Sequence, residues 1–116
     1  MNKKLATKWV NALRSGKFKQ GKQHLLNEEG RYCCLGVLGT ICKVPKTTLR
    51  EMGALEDDLA VKCTIKTSLG TPSDDNKVKV QVGNTFKEFW SLAAANDSGA
   101  SFRSIARWIE KNFKLL

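Results

Sequence analysis

Residues 32–42 read Tyr-Cys-Cys-Leu-Gly-Val-Leu-Gly-Thr-Ile-Cys, an uncharged block in a chain that is otherwise rich in lysine. The block is too long and too continuous for the alternating pattern of a half-exposed strand. We therefore interpret residues 34–42 as a buried helix at the centre of the fold, covered by the first helix and the two C-terminal helices. Gly36 and Gly39 lower its helix propensity, so we expect another element to pack closely against the face that carries them.

The length and composition predict one ordinary soluble domain. The chain has 116 residues, of which 41% are apolar and 27% are charged, as in a typical globular protein. Its longest apolar run, residues 33–42, has about half of the ~20 residues that a bilayer crossing needs. No apolar signal-peptide segment follows the basic N-terminus. We therefore expect a single domain over residues 1–116 that lies in the cytoplasm and does not engage a membrane.

The cysteines and the single histidine favour no metal site and no thiol nucleophile. Cysteines occur at positions 33, 34, 42 and 63, without a C-x-x-C pair, and His24 is the one histidine. Two ligands adjacent in sequence rarely face one ion, so we predict no metal centre. Apolar surroundings raise the pKa of a thiol and suppress the reactive thiolate. Because no P-loop, G-x-S-x-G or H-E-x-x-H motif is present either, we predict a protein without a cofactor that is not an enzyme.

Charge is distributed unevenly along a chain whose net charge is +9. The first 27 residues carry seven cations and no acid, and the C-terminal segment is basic again. Residues 51–76 have the opposite balance of charge, with six acids and two lysines. This asymmetry favours an anionic partner. The alternative is a solvated surface whose like charges keep a small protein soluble.

Apolar periodicity and turn residues predict the elements of the first two-thirds of the chain. We expect a helix over 3–15, followed by a hairpin whose strands cover 17–26 and 31–33 and whose turn covers 27–30. One helical turn follows at 48–52. A second hairpin joins strands 59–65 and 77–82 through an acidic loop at 68–76.

The last third predicts two helices. Thr85 and Glu88 have the spacing of a capping box, which predicts a helix over 86–95. Ser101 caps a final helix over 102–113, with an apolar stripe on one side and Arg103, Arg107, Lys111 and Lys114 on the other. These helices should pack as an αα-hairpin. The predicted fold class is α+β, with three to four helices on a small antiparallel sheet.

Three blocks of the chain form a recognisable set of motifs in this order. They are residues 9–20, with Trp9, Leu13, Gly16, Lys17 and Phe18; residues 32–38, Tyr-Cys-Cys-Leu-Gly-Val-Leu; and residues 96–110, with Asn96-Asp97-Ser98-Gly99, Ser101-Phe102, Ile105-Ala106 and Ile109-Glu110. Together they resemble a family of small proteins encoded by tailed bacteriophages and prophages. Residues 55–81 depart from the family pattern. The resemblance implies a phage origin and expression in a bacterial cytoplasm, and it implies no particular reaction.

Two groups of polar and aromatic residues are candidates for function. A ligand-binding group would hold an anion, and its members are Lys17, Gln20, Tyr32, Asn96, Asp97 and Arg103. A surface for an anion or a protein partner is formed by Arg107, Trp108 and Lys111, where an aromatic ring beside cations suits base stacking or a protein contact. The alternative for the first group is turn formation and solvation, and for the second the wet face and core edge of an amphipathic helix.

These observations leave three hypotheses of function. The first is a small phage protein that interferes with host physiology or defence by stoichiometric binding, either of an anionic small molecule such as a nucleotide signal or of a host protein. The second is a nucleic-acid-binding accessory protein, although no helix-turn-helix, zinc-finger or RNP motif supports it. The third, an enzyme, has the least support.

Overall fold

The computed structural model describes residues 1–51 and 77–116. In chain order the elements are α1 (Lys3–Arg14), α2 (Cys34–Ile41), α3 (Lys46–Glu51), β1 (Val78–Val82), β2 (Thr85–Phe89), α4 (Leu92–Asp97) and α5 (Phe102–Asn112), followed by a 3₁₀ turn, Phe113–Leu115. The predicted α+β class is confirmed, with five α-helices and one antiparallel strand pair in the described residues. The predicted strand 59–65 and acidic loop 68–76 lie outside them.

The central position predicted for α2 is confirmed, because Leu35, Val37 and Leu38 are fully buried. Of the helices predicted to cover it, α1 and α4 pack against it, whereas α3 takes the place expected for α5. A Cβ atom built on Gly36 would lie 1.8 Å from the carbonyl oxygen of Leu25. The element that packs closely against the glycine face, as predicted, is therefore the backbone at Leu25. A side chain at position 36 would prevent this close approach.

The two terminal helices α1 and α5 pack against each other because each has a continuous apolar stripe. On α1, the Asn2 side chain accepts a hydrogen bond from the Leu5 amide and caps the N-terminus, as asparagine commonly does. Trp9 is fully buried, and its Nε1 donates to the Cys34 carbonyl oxygen over 2.9 Å. This bond satisfies the one polar atom of the indole and ties α1 to α2.

The hairpin predicted for residues 17–33 is wrong, although its turn is present. Asn27 and Gly30 close that turn through a backbone hydrogen bond. Tyr32, however, forms isolated bridges to Gln20 on one side and to Leu26 on the other, and no regular strand forms. The reason is Gln23, whose φ of 68° bends the chain so that residues 19–21 and 25–27 flank the same short segment.

The helix predicted for residues 86–95 is also wrong in its first half. Residues 85–89 form β2, which pairs with β1 so that Val78 lies opposite Phe89 and Val82 opposite Thr85. Gly83, with φ of +63°, forms the two-residue turn with Asn84. A Gly-Asn pair between alternating residues is a hairpin signal, and it prevails over the capping-box pattern. The helix begins only after Ser91, whose side chain accepts from the Ala94 amide.

The C-terminal pair of helices is confirmed, with a shorter first member than expected. Residues 98–101 join α4 to α5, and the two helices contact each other. The predicted cap is present, because the Ser101 side chain accepts from the Ser104 amide. The apolar stripe of α5 is buried at Phe102, Ile105 and Ile109. α5 also contacts β1, and Arg107 of α5 lies beside Gln81 of the hairpin.

Candidate functional site

Asn96 and Gln20, both predicted to bind a ligand, lie together in a hydrogen-bonded cluster inside the fold. Asn96 is fully buried on α4. Its Oδ1 accepts from Gln20 Nε2 over 2.9 Å and from the Cys34 amide over 3.2 Å. Its Nδ2 donates to the Gly21 carbonyl over 2.8 Å. The carboxamide of Asn96 is therefore engaged at both ends by the chain itself.

The Gln20 carboxamide is engaged in the same way. Its Nε2 donates a second hydrogen bond to the Ala100 carbonyl over 2.7 Å, and its Oε1 accepts from the Phe102 amide over 3.1 Å. Cys34 and Phe102 are the first residues of α2 and α5, where backbone amides have no partner within the helix. Asn96 and Gln20 thus cap two distant helices.

The other predicted ligand residues are not gathered into one pocket with this cluster in the described residues. The Asp97 carboxylate accepts from the Gln23 amide over 2.8 Å and holds the bent segment. Tyr32 is buried, with its ring edge-on to Phe18 at 5.0 Å. Lys17 and Arg103 are exposed. A depression of about 250 Å³ adjoins the cluster, and Lys22 is the one cation in its described lining.

A different groove gathers the residues predicted to form a partner surface. It lies between the hairpin and α5, has a volume of about 200 Å³, and is lined by Lys79, Gln81, Phe86, Arg107, Trp108 and Lys111 among others. Arg107 Nη1 donates to Gln81 Oε1 over 3.2 Å and bridges helix and hairpin. Trp108 is 7% exposed, so its ring forms part of the wall and is not a free platform.

The exposed aromatic rings are on the hairpin, which the sequence had assigned to a helix. Phe86 is 59% exposed and Trp90 is 69% exposed. Directly opposite residues share one face of an antiparallel pair, which places Phe86 and Gln81 on the same face as Glu88 and Lys79. Lys77 Nζ lies 4.7 Å from the centroid of the Trp90 ring and extends this face to Trp90.

We call the combined area the hairpin–helix surface and define it by Lys77, Lys79, Phe86, Trp90, Arg107 and Lys111. Lys77 lies 3.9 Å from the Glu88 carboxylate, which is a long and exposed ion pair of little strength. Within residues 1–51 and 77–116, the other three cations have no carboxylate within ion-pair distance. The four cations outnumber Glu88, the carboxylate on the same face of the hairpin, so the surface has a net positive charge, and both of its aromatic residues are exposed.

A larger cavity among the described residues offers a contrasting environment. It has a volume of about 510 Å³ and is lined by His24, Glu28, Glu29 and Arg50 among others. Two carboxylates beside one guanidinium give it a mixed charge, which does not favour an anion. The hairpin–helix surface has the more uniform charge and the more exposed aromatic area, so it is the stronger candidate for a binding site.

The central cysteines are held as neutral thiols. Burial raises the pKa of Cys33 to about 11. Burial also raises the pKa of Cys34 well above its ordinary value, and the neighbouring Cys33 adds to this effect. Both thiols are therefore protonated at neutral pH and are poor nucleophiles. Cys34 Sγ instead points to the Leu92 carbonyl oxygen at 3.6 Å, within the core.

Neither a metal-binding cluster nor a membrane-spanning helix is present in the described residues. In residues 1–51 and 77–116, no three His, Cys, Asp or Glu side chains come together in a way that would hold a metal ion. Over the same part of the chain, no helix has both the length and the apolar character needed to span a membrane.

The sequence identified Arg107 and Lys111 of this surface but missed its hairpin half. The helix predicted over 86–95 includes Phe86 and Trp90, whose spacing of four residues also fits one face of a helix. The Gly83-Asn84 turn was the signal that could have corrected this assignment, since it makes positions 86 and 90 part of a hairpin. Lys77 and Lys79 then fall on the same face as the two rings.

Comparison with known proteins yields one match. A family model described as Domain of unknown function (DUF8296) matches residues 1–113. The match covers nearly the whole chain, and the chain belongs to this family. No curated protein and no solved structure matches it at the same level of significance.

Proposed function

We propose that this member of the family is a stoichiometric binding protein that engages an anionic partner through the hairpin–helix surface. The observation that carries the proposal is the concentration of charge there: Lys79, Arg107 and Lys111 line one groove and have no carboxylate partner in the described residues. Such a cluster creates a positive potential that attracts and orients an anion.

The shape of the groove favours a partner that lies across the surface over a small enclosed ligand. Small-molecule sites typically measure about 300–1,000 Å³ and bury most of the ligand, whereas this groove has about 200 Å³. The aromatic rings of Phe86 and Trp90 extend the contact area beyond it. An anionic macromolecule would use both the groove and the rings, and a free nucleotide would leave most of the surface uncovered.

The phage resemblance suggests how such binding would act. In an infected bacterial cytoplasm, a small protein without catalytic machinery interferes with a host process by occupying a component in a fixed ratio. This role requires an exposed contact surface and a rigid scaffold beneath it. The buried cap cluster of Gln20 and Asn96 contributes to that scaffold.

A pair of matched variants tests the surface. Arg107→Gln with Lys111→Gln removes two charges from the groove, and Lys4→Gln with Lys8→Gln removes two from α1, where both lysines line a separate depression beside Cys42. Each protein is eluted from immobilised heparin, a generic polyanion, in a salt gradient. We expect the first variant to elute at clearly lower salt than the second, because their net charges are equal and only the surface differs. Equal elution of the two variants would contradict the proposal.

A second experiment identifies the component that is bound. The chain and the two variants serve as bait in infected cells, and proteins, nucleic acids and small molecules that co-purify are measured. A partner that binds the chain and the α1 variant, but not the groove variant, supports the proposal. A partner whose recovery is the same with all three baits contradicts it.

A further inference from the structure

The exposed rings of the hairpin–helix surface are spaced as two separate platforms. Phe86 and Trp90 are four residues apart, and alternate residues of a strand face the same side. Phe86 lies in β2 and Trp90 directly follows it, so at roughly 3.4 Å per residue their Cα atoms are about 14 Å apart. Solvent covers more than half of each residue. Large apolar rings in such positions are available for stacking and contribute little to the core.

Each platform has cations beside it. Lys77 Nζ lies over the Trp90 ring at 4.7 Å. Phe86 lines the same groove as Lys79, Arg107 and Lys111. A flat ring next to a positive charge matches the two parts of a nucleotide, because the base stacks on the ring and the phosphate pairs with the cation. The repeat of this unit along the hairpin matches a chain of nucleotides.

The types of residue favour nucleic acid over an acidic protein. Three of the four cations on this surface are lysines, namely Lys77, Lys79 and Lys111. Lysine is depleted in protein–protein interfaces, where arginine is the preferred cation, whereas nucleic-acid interfaces are strongly positive. Phosphate neutralisation does not require the planar geometry of arginine, and lysine serves it as a point charge.

The architecture favours a single strand over a duplex. α5 contacts α1 on one side and β1 on the other, so it does not project as a helix that could enter a major groove about 12 Å wide. In a duplex the base faces are covered by their stacked neighbours and are not accessible to Phe86 and Trp90. In a single strand they are free.

We propose that the anionic partner of the hairpin–helix surface is single-stranded nucleic acid, with bases stacked on Phe86 and Trp90 and phosphates held by Lys77, Lys79, Arg107 and Lys111. This inference rests on the proposed function and names its partner. It requires no base-specific contact, since every base has a face that can stack.

Binding is measured by fluorescence anisotropy of a labelled single-stranded oligonucleotide of about 16 nucleotides, the upper end of the length that one small domain covers. The same sequence as a duplex and poly-glutamate serve as the other anions. With about four phosphate contacts, we expect single-strand affinity to fall roughly 50-fold between 50 and 200 mM salt. The fluorescence of Trp90 should also be quenched when a base stacks on its ring. Trp9 and Trp108 are buried, so their fluorescence should change less.

The decisive variant is Phe86→Leu with Trp90→Leu, which removes the stacking rings and keeps apolar side chains. Both positions are exposed, so the variant is expected to fold, and circular dichroism confirms this. We expect its single-strand affinity to fall by at least about tenfold, since each stacked base contributes roughly 1–3 kcal/mol. Poly-glutamate binding should change much less, because it depends on charge alone.

The outcomes separate this inference from the proposed function. Unchanged single-strand binding by the Leu variant, or equal affinity for the duplex, overturns the stacking model. Binding of poly-glutamate but not of the single strand, lost in Arg107→Gln with Lys111→Gln, overturns the inference while the proposed function stands. If none of the three anions binds at low salt, both are overturned.

Discussion

The side-chain amide of Gln20 donates to the carboxamide oxygen of Asn96 over 2.9 Å, and through this bond the caps of two helices are joined. Asn96 accepts from the first amide of α2 at Cys34, and Gln20 accepts from the first amide of α5 at Phe102. The residues are 76 positions apart in the chain. Their bond therefore fixes the relative positions of the two helices, and with them the place of the groove beside α5.

Asn96→Ala should destabilise the fold strongly, because it leaves the Cys34 amide and the Gly21 carbonyl without a protein partner. A buried polar group that loses its partner costs about 1–3 kcal/mol, so we expect the free energy of unfolding in urea to fall by at least about 2 kcal/mol. Asn11→Ala, at an exposed position of α1, is the control and should stay within about 0.5 kcal/mol. Similar values for the two variants would mean that the cluster is not structural.

For Gly36→Ala, close packing decides whether the free energy of unfolding rises or falls. Helix propensity alone predicts a gain of up to about 1 kcal/mol for this substitution. The new Cβ, however, would lie 1.8 Å from the Leu25 carbonyl oxygen, which is backbone and has little freedom to move. We expect a loss of more than about 3 kcal/mol in the free energy of unfolding, at the upper end of overpacking costs. A neutral or stabilising result would show that α2 and residue 25 are not in contact.

The fold was predictable wherever local periodicity was long and unambiguous. The helices at 3–15 and 102–113 were predicted because their apolar residues repeat over two or more turns, and the helix at 34–42 because its apolar run is too long and continuous for an alternating strand. Residues 85–89 were not, because five residues carry too little periodicity to distinguish strand from helix, and a Thr-x-x-Glu spacing fits both. Gln20 and Asn96 were predicted to bind a ligand, whereas their carboxamides bond to each other and to the backbone; this bond joins distant segments, and no local pattern encodes it. The hairpin half of the candidate surface was missed because residues 85–89 were predicted to be helical.

Leu38→Ala tests the central position of α2. Leu38 is fully buried, and truncation of a large aliphatic side chain in a core costs about 2–5 kcal/mol. We expect a value in this range from urea unfolding with an unchanged dependence on denaturant. A cost below about 1 kcal/mol would place this helix at the periphery of the fold.

Burial of the Cys33 thiol should make stability fall at alkaline pH. Its pKa in the folded protein is about 11, above its ordinary value of 9.0. Between these values the unfolded chain loses the thiol proton and the folded chain keeps it, so the stabilisation is complete below about pH 9 and is lost as the pH rises towards 11. At about 1.4 kcal/mol per unit, the loss is roughly 2–3 kcal/mol.

Cys33→Ala removes this contribution and retains every other group that titrates, including Cys34, whose pKa Cys33 helps to raise. Thermal or urea unfolding of the chain and of the variant is measured at intervals from pH 8 upwards. The stability difference between the two should shrink as the pH rises. Parallel curves would show that the thiol has the same pKa in both states and is not buried.

Arg107→Glu should separate stability from binding. Arg107 is exposed and makes one hydrogen bond, to the Gln81 side chain, so the free energy of unfolding should stay within about 0.5 kcal/mol of the original, as for other surface changes. The substitution places a carboxylate between Lys79 and Lys111 in the groove. It should therefore lower the salt concentration needed for elution from heparin far more than Lys8→Glu, the same charge reversal at an exposed position of α1. If both variants elute together, the positive groove does not bind anions. If Arg107→Glu unfolds the protein, Arg107 supports the fold, and Lys111→Glu replaces it in the same comparison.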